Sequence, residues 1–305
     1  MVSIIITTKK EPKTLSLAIQ AILDQKINQE FEILVIGPDR ETQETVKKFS
    51  ENNEFIKYLK DCGRGKPTAI NLAINQAKGD ILILTDGDVK IGDSAVDLLL
   101  RRFNDQNIGA VTGQPISINS RDNLFGYWSC FLTQAAHQMR LKKKNFSCSG
   151  YLYGFRNLIK GIPENSLSED GLITQIIKEK GLKIVYEPRA EVYVKYPNNL
   201  KDWLKQKVRS TGGYVQKFKI GKSKYKTTTQ KSKNQIGDTK KLRNFLQEVS
   251  GGIQMFFIYP KSVKEFWWTI LLYCARIYLW IKILWLIKIK KYEFDSIWER
   301  IESTK

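Results

Sequence analysis

The first 190 residues alternate between two hydrophobic periods, and this alternation constrains the fold more than any other property of the chain. Val2–Thr8 is a β-branched run of the kind that forms a buried parallel strand. Pro12 stands where a helix can start, and Leu15, Ile19, Ile22 and Leu23 then share one helical face. Glu32–Ile36 repeats the strand signal and a polar helix is expected around Thr42–Phe49. The loop Cys62–Pro67 leads into Ile70, Ala73, Ile74 and Ala77 at helical spacing, with Gly79 expected to close that helix in the left-handed C′ position. Ile81–Thr85 is the clearest strand, Val96–Phe103 reads as helix, Ile108–Thr112 as strand and Leu124–Lys142 as helix. Strands alternating with helices predict βαβ units and a mostly parallel α/β sheet. Ligands of such sheets bind beyond the carboxyl ends of the strands. Attention therefore falls on Thr7–Glu11, Gly37–Asp39, Arg64–Lys66 and Asp86–Asp88.

Composition excludes several chemistries. The cysteines are Cys62, Cys130, Cys148 and Cys274, no two are in C-x-x-C spacing, and His137 is the sole histidine. A Cys/His zinc site, a His-based triad and a disulfide framework are all disfavoured. His137 is expected to pack rather than catalyse. The chain opens without a long apolar core before Lys9 and Lys10, so its N-terminal part is expected in the cytoplasm.

Acidic residues after strands carry the chemistry. Asp86-Gly87-Asp88 follows an apolar strand directly, and two carboxylates on a glycine turn can face one pocket. Their hard oxygens suit Mg2+ or Mn2+ bridging two phosphates. Ser168-Glu169-Asp170-Gly171 precedes a helical stripe. It reads either as a helix cap or as a carboxylate aimed into a cleft as general base. Gln206-x-x-Arg209 supplies a guanidinium able to grip a diphosphate.

In this order the elements resemble family-2 glycosyltransferases over about residues 2–215. Val2–Glu11 resembles the family's opening strand, Gly65-Lys66-Pro67-x-Ala69-x-Asn71 its Gly-Lys loop, and Gly79-Asp80-x4-Thr85-Asp86-Gly87-Asp88 its strand and metal motif. Ser149-Gly150-x3-Gly154-Phe155-Arg156 is similar to its acceptor-side strand, Ser168-Glu169-Asp170 to its Glu-Asp signature, and Gln206-x-x-Arg209 to its Gln-x-x-Arg-Trp element. The resemblance implies a GT-A fold, Rossmann-like, that binds a nucleotide-diphospho-sugar, UDP- or GDP-linked, and transfers its sugar with inversion to a lipid or glycan hydroxyl. It assigns Thr8, Glu11, Lys66 and Asp86 to the nucleotide-sugar, and Asp88 to the metal. Asp170 becomes the base, and Glu169, Gln206 and Arg209 meet the diphosphate or acceptor. Three departures stand out. Thr7-Thr8-Lys9-Lys10-Glu11 replaces the usual Pro-Thr-Tyr-Asn-Glu. Gly37-Pro38-Asp39-Arg40 replaces Asp-Asp-Gly-Ser, so Asp39 is offered as the base-contacting substitute. Ser210 stands where tryptophan usually follows the arginine.

Charge and hydropathy set the C-terminal third apart. The net charge is +19, from 50 Lys and Arg against 31 Asp and Glu. Residues 1–200 hold 27 basic and 23 acidic side chains, a net of +4, and 201–305 hold 23 and 8, a net of +15. A catalytic domain over 1–215, a basic mobile linker over 216–243 and a helical region over 244–305 are expected. Within the last, 266–289 is long enough to span a bilayer. Its Ile, Leu and Phe contribute roughly −3 to −7 kcal/mol to insertion, against about +2.5 to +3.5 for Arg276 and somewhat less for Lys282. The sum near zero leaves an interfacial, re-entrant or single-span anchor open, as well as a helix packed on the catalytic domain. The expected location is the cytoplasmic face of a membrane with an anionic surface. Nucleic acid is disfavoured as a partner, because the aromatics cluster in the apolar segment instead of interleaving with lysines. A catalytically inactive, membrane-bound nucleotide-sugar scaffold remains the alternative.

Overall fold

In the computed structural model, residues 1–143, 146–223, 255–288 and 302–304 are described. One sheet organises them, in the order β3-β2-β1-β4-β7-β6-β8-β5. Its strands are β1 (Val2–Thr7), β2 (Phe31–Gly37), β3 (Ile56–Lys60), β4 (Ile81–Asp86), β5 (Val89–Ile91), β6 (Ile108–Ser117), β7 (Leu152–Arg156) and β8 (Lys183–Val194). The helices are α1 (Pro12–Leu23), α2 (Arg40–Ser50), α3 (Lys66–Gln76), α4 (Ala95–Arg102), α5 (Leu124–Lys142), α6 (Glu169–Glu179), α7 (Leu200–Ser223) and α8 (Val263–Lys288).

The four strands β3, β2, β1 and β4 are parallel, and every residue of β1 is buried. Burial on both faces explains the unbroken β-branched run. Ile4 and Ile6 pack with Leu15, Ile19 and Ile22 of α1 on one face. Ile5 packs with Ile70 and Ala73 of α3 on the other. The chain steps from β1 outward to β2 and β3, then returns to place β4 on β1's other side. That reversal opens a crevice at the carboxyl ends of β1 and β4, where Thr7 lies beside Asp86 in register. Beyond β4 the sheet becomes mixed: β7 runs antiparallel to β4 and β6, β8 is parallel to β6, and β5 closes the edge antiparallel to β8.

Gly79 departs from its expected role. Helix α3 ends at Gln76, and its cap, Ala77, is extended at φ −67° and ψ 130°. Gly79 instead passes so close to β1 that a Cβ would stand 2.4 Å from the Ser3 amide nitrogen. Strands β3, β5 and β8 carry no clear period in the sequence. Helix α7 runs through residue 215 to Ser223, while 224–243 of the expected linker lie outside the described residues.

The apolar segment forms α8, long and hydrophobic enough to cross a membrane. It also packs on the domain. Tyr127, Trp128 and Phe131 of α5, Trp203 of α7 and Leu272 of α8 form one core. Tyr127 and Thr269 share a 2.6 Å hydroxyl contact, Trp128 donates its indole N–H to the Trp268 carbonyl at 2.8 Å, and Arg121 forks onto Glu265 at 2.6 and 2.8 Å. The opposite face of α8 stays exposed.

Candidate active site

The crevice between β1 and β4 widens into a cavity of about 640 Å³. Thr8, Glu11, Lys66, Asp86, Asp88, Glu169, Asp170, Gln206 and Arg209 all line it. Residues up to two hundred positions apart thus share one space, because the loops and helix starts converge beyond the carboxyl ends of β1 and β4. Asp39 is the sequence-selected residue outside the lining. Its carboxylate caps α2 by accepting the Thr42 N–H at 2.9 Å, and it also accepts the Lys10 N–H at 2.9 Å.

Asp86 ends β4 and accepts a hydrogen bond from the Thr7 hydroxyl at 3.1 Å. The Gly87 N–H donates to the Thr7 carbonyl at 3.0 Å, which carries the β1 pairing one residue past the strand. A Cβ on Gly87 would lie 2.7 Å from the Thr8 side chain, so the turn between the two aspartates requires glycine. Lys66, the first residue of α3, reaches Asp86 at 2.6 Å and Glu169 at 3.0 Å, and donates to the Gly150 carbonyl at 3.4 Å. Burial opposes charge on Lys66, but Asp86 and Glu169 outweigh it and raise its pKa, so the ammonium persists. Burial raises the Asp86 pKa, Lys66 lowers it, and the neighbouring Asp88 and Glu169 raise it again. Three carboxylates against one ammonium leave this wall with excess negative charge.

Asp170 lies in the first turn of α6. Ser168 occupies the N-cap position, yet its hydroxyl donates to Asp170 Oδ1 at 2.6 Å instead of capping the helix. The Gly171 N–H donates to the same oxygen at 2.7 Å. Oδ2 faces Gly150, 3.6 Å from where a Cβ there would sit. Gln206 approaches from α7 and donates to the Tyr151 hydroxyl at 3.4 Å, while its own Oε1 is buried without a partner among the described residues.

No set of three His, Cys, Asp or Glu side chains among the described residues is arranged to hold a cation by itself. Such a set is not required of Mg2+ or Mn2+, which take one or two carboxylates, keep waters and draw other oxygens from phosphates. The all-oxygen donors Asp86 and Asp88 and the excess negative charge fit such an ion. Asp61 and Arg140 are among the lining residues that escaped sequence reasoning. Asp61 follows β3; burial raises its pKa, against the Gly63 N–H it accepts at 2.6 Å. Arg140, near the end of α5, also lines the cavity. Neither sits in a recognisable spacing, so only the fold discloses them. His137 is a packing residue: Nδ1 meets the Tyr186 hydroxyl at 2.7 Å, and burial lowers its pKa.

Comparison with known proteins gives this geometry a family. The chain is 26% identical over 232 residues to the poly-beta-1,6-N-acetyl-D-glucosamine synthase of Staphylococcus aureus (strain COL), covering 70% of this chain and 54% of that one. It is 26% identical over 223 residues to an N-acetylglucosaminyltransferase of Rhizobium meliloti (strain 1021), covering 66% and 52%. It thus spans about half the length of these curated relatives. The solved mannosyltransferase PcManGT from Pyrobaculum calidifontis, in complex with GDP-Man and Mn2+, superposes with a TM-score of 0.58 at 16% identity, over 97% of this chain and 82% of that one. The family described as glycosyltransferase like family 2 matches residues 1–213, from β1 into α7. The chain therefore belongs to glycosyltransferase family 2 and has its GT-A fold.

Proposed function

We propose that this protein is an inverting glycosyltransferase that moves a sugar from a nucleotide-diphospho-sugar to a hydroxyl acceptor. The observation that carries the proposal is the single cavity at the β1–β4 crevice holding Asp86, Asp88, Asp170 and Arg209 together. The relatives named above support an N-acetylglucosaminyl donor as the first to test.

Each residue has a role in that reading. The nucleotide lies over the β1, β2 and β3 loops, beside Thr8, Glu11 and Asp61. Asp61, rather than Asp39, accepts an N–H of the base, since the Asp39 oxygens are committed to Thr42 and Lys10. Asp88, with Asp86 beside it, would hold a divalent cation, and that cation would supply neutralisation of the diphosphate. The PcManGT complex contains Mn2+ and supports this choice. Arg209 adds a cationic fork for the departing phosphates. The acceptor hydroxyl attacks the anomeric carbon opposite the leaving group and its proton passes to Asp170 Oδ2. The bond to the diphosphate oxygen breaks, the diphosphate leaves with the electron pair, and the configuration inverts. Ser168 and Gly171 hold Oδ1, which keeps the other oxygen aimed.

An apolar helix α8 long enough to anchor in a membrane and the net +15 of residues 201–305 support a reaction at the cytoplasmic face of a membrane. The test is release of nucleoside diphosphate from UDP-GlcNAc and a panel of other donors, with Mn2+ and candidate acceptors. Turnover that survives both Asp88→Ala and Asp170→Asn would overturn the assignment of roles. Nucleotide-sugar binding without turnover on any acceptor would favour the inactive-scaffold reading.

A further inference from the structure

We propose that Arg140 is an anion-binding acceptor subsite, so that the acceptor carries an oxyanion (a phosphate ester or carboxylate) beside its reacting hydroxyl. This rests on the transferase reading above and extends it to the acceptor's chemical class.

Arg140 lines the cavity from α5, a helix without a single Asp or Glu. Its guanidinium lies 5.7 Å from the Tyr186 ring centroid, and its Nε is buried with no hydrogen-bond partner. Among the described residues it forms no ion pair with a carboxylate. A buried cationic donor without a partner is rare in a folded chain and marks a place where a ligand supplies the missing acceptor. The surroundings are otherwise satisfied or neutral. Burial, and then Arg140's own charge, lower the His137 pKa. Cys148, pushed up to about 11 by burial, is a thiol whose field includes both Asp170 and Arg140. Arg140, Cys148 and Asp170 all line the one cavity. The wall there is apolar at Pro115, Leu132 and Ala136, and Lys195 and Lys207 add positive charge. An acceptor with an apolar or sugar body and one anionic group complements that wall. A planar guanidinium pairs with phosphate or carboxylate through two parallel hydrogen bonds. The anion is an anchor; the hydroxyl it positions gives its proton to Asp170.

The test titrates the full-length chain, with UDP and Mn2+ present, against two probe pairs: farnesyl phosphate with farnesol, and glucose 6-phosphate with glucose. The expected result is about a tenfold preference for the phosphorylated member of at least one pair. The pair that responds tells a lipid-borne anion from a soluble one. Arg140→Gln should reduce that preference below about threefold, and Arg140→Lys should retain part of it. Circular dichroism and an unchanged UDP affinity show that the variants are folded. No preference in the wild type, or full preference in Arg140→Gln, overturns the proposal. Failure of the wild type to bind either UDP or GDP would instead overturn the transferase reading.

Discussion

Ser168 and Asp170 show how local sequence sets a reactive group. Two hydrogen bonds hold one Asp170 oxygen, and the other is the one proposed above to take the proton. Asp170→Asn should lower kcat by about 10²- to 10⁴-fold with little change in KM for the donor. Ser168→Ala should lower kcat less, about tenfold, because the carboxylate remains but loses one restraint. Steady-state kinetics on both variants checks the order, and an inactive Ser168→Ala with a normal Asp170→Asn would reverse it. The loop after β1 carries a second residue-scale consequence. Lys10 has φ 55°, a region that disfavours lysine and suits asparagine. Lys10→Asn, which restores the residue usual in the family, should stabilise the fold by about 0.5–1 kcal/mol in denaturant titration. Its neighbour Gly37 replaces the family aspartate because α2 presses on it: a Cβ would lie 2.9 Å from the Thr42 methyl and 3.0 Å from the Thr8 carbonyl oxygen. At this scale the sequence named most of the cavity wall, since acidic residues after strands are local signals. Asp61 and Arg140 were illegible because only the β3 register and the rotation of α5 turn them inward.

At the scale of elements, two buried carboxylates tie the sheet together. Glu32 of β2 accepts from the Ser3 hydroxyl and the Lys78 N–H at 2.8 Å each, and pairs with Lys57 at 3.2 Å. It thereby joins β1, β2, β3 and the entry to β4. Glu187, within β8, pairs with Arg102 at 2.6 Å and Arg189 at 3.0 Å. Burial pushes both carboxyls up, but these donors prevail and hold both below the ordinary value. A folded pKa below the unfolded one stabilises the protein above the unfolded value and loses that contribution as pH falls through the folded one. The melting temperature should therefore be level from pH 7 to 5 and decline below about pH 4. Glu32→Gln should weaken the decline, as scanning calorimetry across that range would reveal; an identical slope would remove Glu32 from the account. The same elements show why part of the fold escaped the sequence. Strand β3 is an edge strand of mixed burial, and its Ile-Lys-Tyr-Leu-Lys pattern is ambiguous alone. Strand β8 contains Glu187-Pro188-Arg189, a break signal, yet its two halves pair with β6 on either side of an irregularity between Thr112 and Gln114. Where burial on both faces wrote a continuous apolar run, as in β1, β2 and β4, periodicity sufficed.

For the whole molecule, the governing fact is that an apolar helix and a strongly basic third share one end. Helix α8 is fastened along its length, through Glu265 to Arg121 in the loop before α5, through Thr269 and Leu272 to α5, and through Leu279 and Ile283 to Val208 of α7. Its outer face carries Trp267, Leu271, Cys274, Tyr278, Ile281 and Trp285 exposed at three- and four-residue spacing, a stripe about 27 Å long. A helix fastened sideways to a polar domain cannot cross a bilayer upright without carrying that domain into the hydrocarbon. It can lie in the interface plane with the stripe among acyl chains, tryptophan and tyrosine at headgroup depth and lysines toward anionic lipid. The net +15 of residues 201–305 supplies the electrostatic part. The chain should therefore bind vesicles containing phosphatidylglycerol more strongly than pure phosphatidylcholine vesicles, and added salt should narrow the difference. The double change Leu271→Glu with Ile281→Glu removes two apolar anchors worth about 1.5–3 kcal/mol each. Partitioning should fall by two orders of magnitude or more while UDP affinity holds, since both residues face away from the cavity. Flotation and tryptophan emission together measure it. Binding indifferent to lipid charge, or unaltered in the double variant, would assign the stripe to contact with another protein surface and detach the basic end from any membrane.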